Sequence, residues 1–444
     1  MRILLVTAGA GGMYCGSCLR DNALAAELMA RGHDVSLLPI YTPTLTDEPN
    51  VSDARVFFGG VSVYLEQHVP LLRRTPEFLD KLWDSAAVIR AVSGRGVSTN
   101  PTLLGELTVS MLKGADGFQA KELRKLLRWL RAQPRYDVIN LPNALLLGLA
   151  PALRDAGFGP VVCTLTGEDL FIGGLQEPYR RESLDLIRRH ATAVDAYVSV
   201  SAYYAAFMTT YLGLPADRVH TVPLGINLGG HGPRTRPAGG PFTIGYFARI
   251  APEKGLHLLG EAYRKLRREH GLTDVRLLAA GYLAPEHKGY LAKIEADLRE
   301  AGLASEFEYR GTLDRDQKIA FLHELDVISV PSPYAEPKGL YLLEALANGV
   351  PAVEPRHGAF PEVLEATGGG LLFTPNDTDD LAVKLLVLAR DREQAVRLGR
   401  AGAERVRERF GVERMAEETL RLYASLARPA AAPSPSVPQR TSAG

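Results

Sequence analysis

The sequence has few cysteines and no excess of charge of either sign. Three cysteines among 444 residues exclude a scaffold held together by disulfides. Lysine plus arginine and aspartate plus glutamate both number 51, so the formal net charge is zero and the chain lacks the basic footprint of a nucleic-acid-binding protein. With 46% hydrophobic and 23% charged residues, the composition is that of an ordinary globular protein.

Long apolar runs are also missing. The longest candidate, residues 138–153, is interrupted by Asn140, Pro142 and Gly148, and it is shorter than the ~20 residues that a spanning helix needs. The first residues resemble a signal peptide, but glycines interrupt them early, so residues 3–8 are better interpreted as a buried strand that enters a glycine turn. We therefore expect a cytoplasmic protein.

Strands and helices alternate along the chain. Residues 2–8 predict a buried strand, residues 18–31 a helix that ends at Gly32, and residues 35–40 the next strand. Further elements of the first half are expected as strands at 137–141, 160–165 and 196–200, and as helices at 78–92, 119–132 and 180–190. The second half predicts strands at 242–247, 275–280, 307–309, 327–330, 352–354 and 371–373. Helices are expected at 255–270, 288–301, 316–324 and 340–347, with further helices from 377 to about 425.

A segment rich in glycine and proline divides these two halves. Seven of the thirteen residues 228–240 are Gly or Pro, which predicts a hinge linker at 229–240. The alternation on each side predicts an α/β protein with two doubly wound, Rossmann-like domains that face each other across a cleft. We expect the domains at 1–228 and 241–410, a final helix at 411–428 that crosses back to the first domain, and a disordered tail at 429–444.

Two cations follow the first predicted strand of the second half. Arg249 and Lys254 are expected at the carboxyl edge of strand 242–247, beside the start of the helix that follows Gly255. Two cations and a helix N-terminus together favour an anion, and a diphosphate is the natural ligand. The alternative is a solvated arginine and a surface lysine.

An acidic motif surrounds a later helix start. Gly339 and Leu340 would present backbone N–H groups that lack partners within the helix. Glu336 precedes the helix, and Glu344 lies ~6–8 Å further along it, at the helical rise per residue. Carboxylates at two depths can accept hydrogen bonds from the hydroxyls of an elongated ligand. The alternative is a buried, capped Glu344 and a Glu336 that only interacts with the helix dipole.

Together the two motifs resemble a known family. The segments GYFARIAPEKGL at 245–256 and EPKGLYLLEALANGVPAVEPRHGAFPEV at 336–363 are similar to the retaining glycosyltransferases of family 4, the glycosyl transferases group 1, which have the GT-B fold. Weaker similarities occur at 9–12, 26–35, 198–207 and 222–227. The resemblance covers residues 1–425 and is strongest from 243 to 365.

The resemblance implies a role for each candidate residue. Arg249 and Lys254 would bind the diphosphate of a nucleotide-sugar, and Glu336 would hold hydroxyls of the transferred sugar near the reacting carbon. These three are the implied catalytic residues, while Glu344 would bond the ribose. Further donor contacts are implied for Gly12, Gly339 and Leu340. The second domain would bind the donor, and the first domain the acceptor.

The implied reaction moves a hexosyl group from a UDP-, GDP- or ADP-linked sugar to a hydroxyl of a glycan, glycolipid or small molecule. Cations and N–H dipoles would stabilise the departing diphosphate in place of a metal, so no obligatory divalent ion or other cofactor is expected. The alternatives are an epimerase or hydrolase of the same fold that acts on nucleotide-sugars, and a nucleotide-sugar binder without activity.

Two positions depart from the family pattern. Lys338 stands where the family often has Phe, and Thr166 stands where a sugar-contacting His is expected. Thr166, Glu168 and Asp169 are therefore candidates for contacts with the sugar or acceptor. The alternative is that the two carboxylates cap the segment that follows.

Cys15 and Cys18 form a CxxC pair in a loop before a helix, where thiolates are stabilised. We interpret this loop as lining the cleft. A redox pair, or half of a metal site with Cys163 as a third thiol, remains an alternative, although one CxxC without a second pair is poor evidence for zinc. No metal ligands are expected elsewhere.

Residues 121–131 predict a basic amphipathic helix with leucines on one face and Arg124, Arg128 and Arg131 on the other. Such a helix can contact the inner face of a membrane peripherally. The alternative is a helix that packs on the sheet while its arginines extend their charged ends into solvent.

Overall fold

The computed structural model describes residues 1–9, 14–59, 67, 101–233 and 239–427. In these ranges the strands are β1 Arg2–Thr7, β2 Asp34–Pro39, β3 Val138–Leu141, β4 Val161–Leu165, β5 Ala196–Ser199, β6 Val219–Thr221, β7 Phe242–Phe247, β8 Val275–Ala280, β9 Phe307–Tyr309, β10 Val327–Ile328, β11 Ala352–Pro355 and β12 Gly370–Phe373. The helices are α1 Gly16–Ala30, α2 Pro101–Leu112, α3 Ala120–Arg131, α4 Ala150–Asp155, α5 Asp169–Gly173, α6 Tyr179–His190, α7 Ala202–Leu212, α8 Leu256–Arg268, α9 Lys288–Glu300, α10 Arg315–Glu324, α11 Leu340–Ala347, α12 Phe360–Thr367, α13 Thr378–Arg390, α14 Arg392–Arg409 and α15 Val412–Leu426.

The strands form two parallel six-stranded sheets, with the orders β2-β1-β3-β4-β5-β6 and β12-β11-β10-β7-β8-β9. The predicted α/β class is confirmed. In each sheet the strand order reverses beside the first strand of that sheet. The later strands are added on the other side of this first strand, so the reversal lies between β1 and β3 in the first sheet and between β7 and β10 in the second. Ligands of open parallel sheets bind outside the carboxyl ends of the strands at such a reversal. A ligand site is therefore expected at the loops after β1, β7 and β10.

The first strand and helix show why the sequence pattern was informative. Strand β1 is buried along nearly its whole length, as expected for an apolar strand covered on both faces. Helix α1 ends as predicted at Gly32, whose φ of 83° is a left-handed conformation that glycine adopts readily. The N–H of Gly32 donates to the carbonyl of Met29, and the N–H of His33 to that of Leu28.

The last helix packs on the first sheet. Met415, Ala416 and Tyr423 of α15 are buried in the same apolar cluster as residues of β1 and α1. Just before this helix, the chain pairs with the end of the first half, because the N–H of Ile226 donates to the carbonyl of Phe410 and the N–H of Val412 donates to Ile226. The two chain segments that connect the sheets therefore lie side by side.

Some expectations concern residues beyond the described ranges: the helix at 78–92, Gly12, the tail at 429–444 and part of the linker, residues 234–238. The domain boundaries stay predictions. Helices α2, α4, α5, α7 and α12 and strand β6 had no sequence prediction. Within the described part of the chain, no helix combines the length and apolarity needed to cross a membrane.

Candidate functional site

Arg249 and Lys254 follow β7, at the reversal of the second sheet. Lys254 ends a short 3-10 turn, Pro252–Lys254, and α8 begins directly after Gly255. Gly255 has a φ of 74°, and a Cβ atom there would lie 2.0 Å from the carbonyl oxygen of Pro331. Only glycine fits this close approach, which fixes the turn that presents Lys254.

Lys254 forms a direct ion pair with Glu336, which follows β10. Both side chains are largely buried, with exposed fractions of 16% and 8%. Burial alone would raise the pKa of Glu336, but the ammonium groups of Lys254 and Lys338 and the guanidinium of Arg249 outweigh it and hold the pKa below its usual value. Glu336 therefore stays ionised and can accept hydrogen bonds.

Arg249 is the more accessible cation. Its side chain is 41% exposed, and it pairs with Glu253 at 3.1 Å. The loop after β10 is fastened to the same turn, because the hydroxyl of Ser332 donates to the carbonyl of Glu253 at 2.8 Å. The loops after β7 and β10 are thus joined at the reversal point.

Gly339 precedes α11 as predicted and has a φ of 64°. A Cβ atom at Gly339 would lie 3.2 Å from the ring of Phe360, so this position also favours glycine. The carbonyl of Glu336 accepts from the N–H of Ala359 at 2.8 Å, which anchors the segment before the helix. Leu340 begins α11, so its N–H belongs to the first turn, whose donors have no partners within the helix.

Glu344 lies inside α11 and is paired with Lys318 of α10 at 2.6 Å. Lys318 also contacts Asp47 of the first half at 2.5 Å, and all three side chains are at most 8% exposed. Burial would lower the pKa of Lys318, but the two carboxylates outweigh it and raise the pKa above its usual value. No sequence signal pointed to Lys318 or Asp47, because their partners are distant in the chain.

In the first half, Glu168 organises the turn between β4 and α5. Its carboxylate accepts hydrogen bonds from the N–H groups of Ala144, Thr166 and Gly167 at 2.8–3.0 Å. Burial raises its pKa. The hydroxyl of Thr166 donates to the carbonyl of Pro142 at 3.4 Å. Glu168 and Thr166 thus use their polar atoms to hold backbone, and Glu168 binds the residues before α5 instead of capping that helix.

Asp169 is placed differently. Its Oδ1 accepts from the hydroxyl of Tyr204 at 2.7 Å and from the hydroxyl of Tyr334 at 2.8 Å. Tyr334 belongs to the loop that carries Glu336. Of the three residues predicted to contact sugar or acceptor, Asp169 is the one that the structure joins to the acidic motif.

Further contacts bring this motif against the first half. Ser201, at the start of α7, donates to the carbonyl of Pro337 at 2.7 Å, and Lys338 donates to the hydroxyl of Ser17 at 2.8 Å. Ser201 was not predicted as a site residue, although it lies in the segment of weak family similarity at 198–207. The predicted residues Lys254, Glu336, Gly339 and Asp169 therefore border one cleft, whose walls come from the ends of both sheets.

Helix α3 uses its apolar face within the protein. Leu123, Leu126 and Leu130 are buried in the core of the first half. Any membrane contact of this helix is thus restricted to its arginine side, and such contact stays a prediction. Among the residues that the structure describes, no group of three or more His, Cys, Asp or Glu side chains is arranged to hold a metal ion.

Two family models match adjacent parts of the chain. One, described as Glycosyltransferase Family 4, matches residues 109–229, and the other, described as Glycosyl transferases group 1, matches residues 233–405. This chain belongs to the group 1/family 4 glycosyltransferases. The family suggested by the two sequence motifs is confirmed, and the second match contains both motifs.

Among the relatives, glycogen synthase from Mycobacterium tuberculosis is 30% identical over 203 residues, which cover 46% of this chain and 47% of the relative. D-inositol 3-phosphate glycosyltransferase from Pseudarthrobacter chlorophenolicus is 26% identical over 415 residues, covering 89% and 96%. The chain spans about half the length of the first curated relatives it matches.

Solved structures show the same fold. Sucrose-phosphate synthase from Thermosynechococcus elongatus superposes with a TM-score of 0.70 at 20% identity, over 96% of this chain and 99% of the other. HepE from Anabaena, in complex with UDP-glucose, gives 0.65 at 17% identity, over 96% and 100%. The expected GT-B architecture of this glycosyltransferase is confirmed.

Proposed function

We propose that this protein transfers a hexosyl group from a nucleoside-diphosphate sugar to a hydroxyl acceptor with retention of configuration. The observation that carries the proposal is the buried Lys254–Glu336 pair at the reversal between β7 and β10. An ammonium suited to a diphosphate and an ionised carboxylate suited to sugar hydroxyls are in direct contact there. A ligand that spans both groups has the chemistry of a nucleotide-sugar.

The proposed reaction needs charge stabilisation at two places. When the bond between the anomeric carbon and the diphosphate breaks, negative charge collects on the phosphate and positive charge on the sugar. Arg249, Lys254 and the first N–H groups of α11 would stabilise the phosphate, because they are in place before the charge develops. Glu336 would hold the sugar through its hydroxyls. Retention follows if the acceptor attacks from the face of departure and the leaving phosphate takes its proton.

Asp169 is the proposed acceptor contact. It is half-buried and bound to Tyr334, which lies two residues before Glu336. A carboxylate at this place can accept a hydrogen bond from an acceptor hydroxyl and orient it. The Anabaena relative was solved with UDP-glucose, so UDP-linked sugars are the first donors to test.

The experiment combines a donor panel with an acceptor panel. UDP-, GDP- and ADP-linked glucose and mannose are incubated with and without inositol phosphates and oligosaccharides, and release of the nucleoside diphosphate is measured. Transfer predicts release that depends on one acceptor and a product with the donor's anomeric configuration. Release without acceptor indicates a hydrolase, donor conversion without release an epimerase, and binding without turnover a nucleotide-sugar binder.

A variant pair links the activity to the site. Arg249→Ala removes an accessible cation from the cleft, whereas Lys293→Ala removes a cation that is 75% exposed on α9. We expect turnover to fall at least a hundredfold in the first variant, the scale of removing a donor to a developing anion, and to stay unchanged in the second.

A further inference from the structure

The CxxC segment of the first half is built around the N-terminus of α1. Cys15 is the residue before the helix, with extended backbone angles, and Cys18 lies one turn further on. Cys15 is partly exposed and Cys18 is buried. Side chains three positions apart at a helix start are neighbours, which is the spacing that a disulfide can bridge.

A cation from the opposite half lies against this segment. The Nζ of Lys338 is 2.8 Å from the hydroxyl of Ser17, between the two cysteines in the sequence. Its Cε is 3.6 Å from the position that a Cβ of Gly16 would occupy. The sulfur of Cys15 thus has a helix N-terminus on one side and an ammonium nearby, and both stabilise negative charge.

The pKa values of the two thiols differ in the direction that the geometry suggests. Hydrogen bonding from the Cys18 thiol is the main cause that lowers the pKa of Cys15, and Lys338 lowers it further against the effect of burial. The pKa of Cys18 is raised by its hydrogen bond with Cys15, by burial and by Asp21, which forms a buried ion pair with Arg20. Burial lowers the pKa of Lys338, and the negative charges of Cys15 and Glu336 oppose this effect.

We propose that Cys15 and Cys18 form a thiol–disulfide exchange site for low-molecular-weight disulfides, with Cys15 as the attacking thiolate and Cys18 as the resolving thiol. This inference does not depend on the proposed transferase activity. Its chemical basis is the pairing of a partly exposed sulfur near a cation with a buried sulfur directly behind it.

The exchange proceeds in two steps when glutathione disulfide is the oxidant. The Cys15 thiolate attacks one sulfur, the disulfide bond of the oxidant breaks, and one glutathione leaves as a thiolate that takes the proton of Cys18. Cys18 then attacks the sulfur of Cys15, and the second glutathione leaves and is protonated by solvent. The two protein thiols lose two electrons, and one glutathione disulfide becomes two glutathione molecules.

Mass spectrometry tests the exchange on the full chain. Cleavage after Arg2 and Arg20 gives a peptide of residues 3–20 that holds both cysteines. After treatment of the reduced protein with glutathione disulfide, we expect this peptide to lose two hydrogens. Cys18→Ser should instead retain one glutathione on Cys15, and Cys15→Ser should show neither change. Failure of the wild-type peptide to form the disulfide would overturn the proposal.

Labelling with iodoacetamide tests the reactivity of Cys15, in the first half of the chain, and the effect on it of Lys338, in the second half. Cys163 is fully buried in β4 and provides an internal reference within the same molecule. We expect Cys15 to react far faster than Cys163 in the folded protein. At a pH below the pKa of Cys15, where the thiolate population still follows that pKa, Lys338→Met should slow Cys15 labelling about tenfold per pKa unit, and Lys338→Arg should restore it. Circular dichroism checks that Lys338→Met and Lys338→Arg are folded. Equal labelling rates of Cys15 in the wild type and in folded Lys338→Met would contradict the assigned role of Lys338.

Discussion

The hydroxyl of Tyr334 donates a 2.8 Å hydrogen bond to Oδ1 of Asp169, a residue 165 positions away in the other half of the chain. The same oxygen accepts from Tyr204 at 2.7 Å. Because Tyr334 precedes Glu336 by two residues, this bond ties the proposed acceptor carboxylate to the proposed donor segment. The cleft therefore has a direct polar link between its two walls.

Tyr334→Phe removes that link without changing the ring. One hydrogen bond contributes about 1 kcal/mol net, so we expect kcat/KM for transfer to fall about fivefold while the melting temperature changes little. Tyr290→Phe is the matched control, because it removes a hydroxyl that bonds His257 at 2.8 Å within the second half. Equal losses of kcat/KM in Tyr334→Phe and Tyr290→Phe would contradict a specific role of the Tyr334–Asp169 hydrogen bond in transfer.

Lys318→Met tests the buried group formed by Lys318, Asp47 and Glu344. The change leaves two buried carboxylates without their cation, and we expect the free energy of unfolding to fall by about 3–5 kcal/mol in urea denaturation. Arg405→Met, which breaks an exposed pair with Glu408, is the control and should cost no more than about 1 kcal/mol.

The same variant has a distinct dependence on pH. Without Lys318, burial and the carboxylate of Asp47 raise the pKa of Glu344, and only the guanidinium of Arg315 opposes them. A carboxyl whose folded pKa lies above its unfolded value destabilises the fold at high pH, and this penalty is relieved as the pH falls through the folded pKa. The stability difference from the wild type should therefore shrink as the pH falls from neutrality towards the ordinary range of carboxyl pKa values. In the wild type burial also raises the pKa of Glu344, but Lys318 and Arg315 oppose it, so the wild type should change less over this range. The raised pKa of Lys318 makes its own contribution disappear only at high pH. A difference in the free energy of unfolding between the wild type and Lys318→Met that does not change with pH would show that the carboxylates are not left buried and charged.

Gly255→Ala tests the turn that presents Lys254. The alanine would have to adopt a φ of 74° and would place its Cβ 2.0 Å from a carbonyl oxygen, so backbone must move. Gly271→Ala is the control, because Gly271 has a φ of 64° but nothing within 4 Å of an added Cβ. We expect Gly271→Ala to cost about 1 kcal/mol of stability and Gly255→Ala clearly more, with loss of nucleotide binding. Similar melting temperatures for both would contradict the close approach.

Asp169→Asn and Glu168→Gln separate a functional carboxylate from a structural one. Asparagine keeps an oxygen for Tyr204 and Tyr334, so we expect the fold to survive while transfer falls at least tenfold. Glutamine places an amide nitrogen near backbone N–H groups that now donate to Glu168, which should lower the free energy of unfolding by about 1–3 kcal/mol. The reverse pattern of activity and stability would show that the acceptor contact was assigned to the wrong carboxylate.

The sequence predicted the elements better than the contacts between them. Strand β7, the turn at Lys254 and the start of α11 carry local signals: an apolar run, a glycine after a cation, and a glycine before a helix. These signals are short-range, so one sequence suffices to find them. The direct pairing of Lys254 with Glu336 was not predicted, because the family resemblance implied only that both residues contact the donor.

The contacts across the cleft could not be predicted from the sequence. Lys318 lies in the short helix α10, which carries no distinctive sequence motif, and no residue near it in the chain indicates a pair with Asp47, which is 271 positions away. Glu168 and Asp169 are adjacent and chemically alike, yet one holds backbone and the other faces the opposite half. Only the packing of the turn before α5 distinguishes the two carboxylates.

The most direct test of the account is the affinity of the protein for UDP, GDP and ADP, measured by calorimetry for the wild type, Arg249→Ala, Lys254→Ala and the surface control Lys293→Ala. We predict that the wild type and Lys293→Ala bind one nucleotide equally well, and that Arg249→Ala and Lys254→Ala each bind it at least tenfold more weakly, as expected for the loss of a charge-assisted hydrogen bond. Wild-type affinity in both cleft variants, or no binding of any nucleotide to the wild type, would contradict the assignment of the diphosphate site.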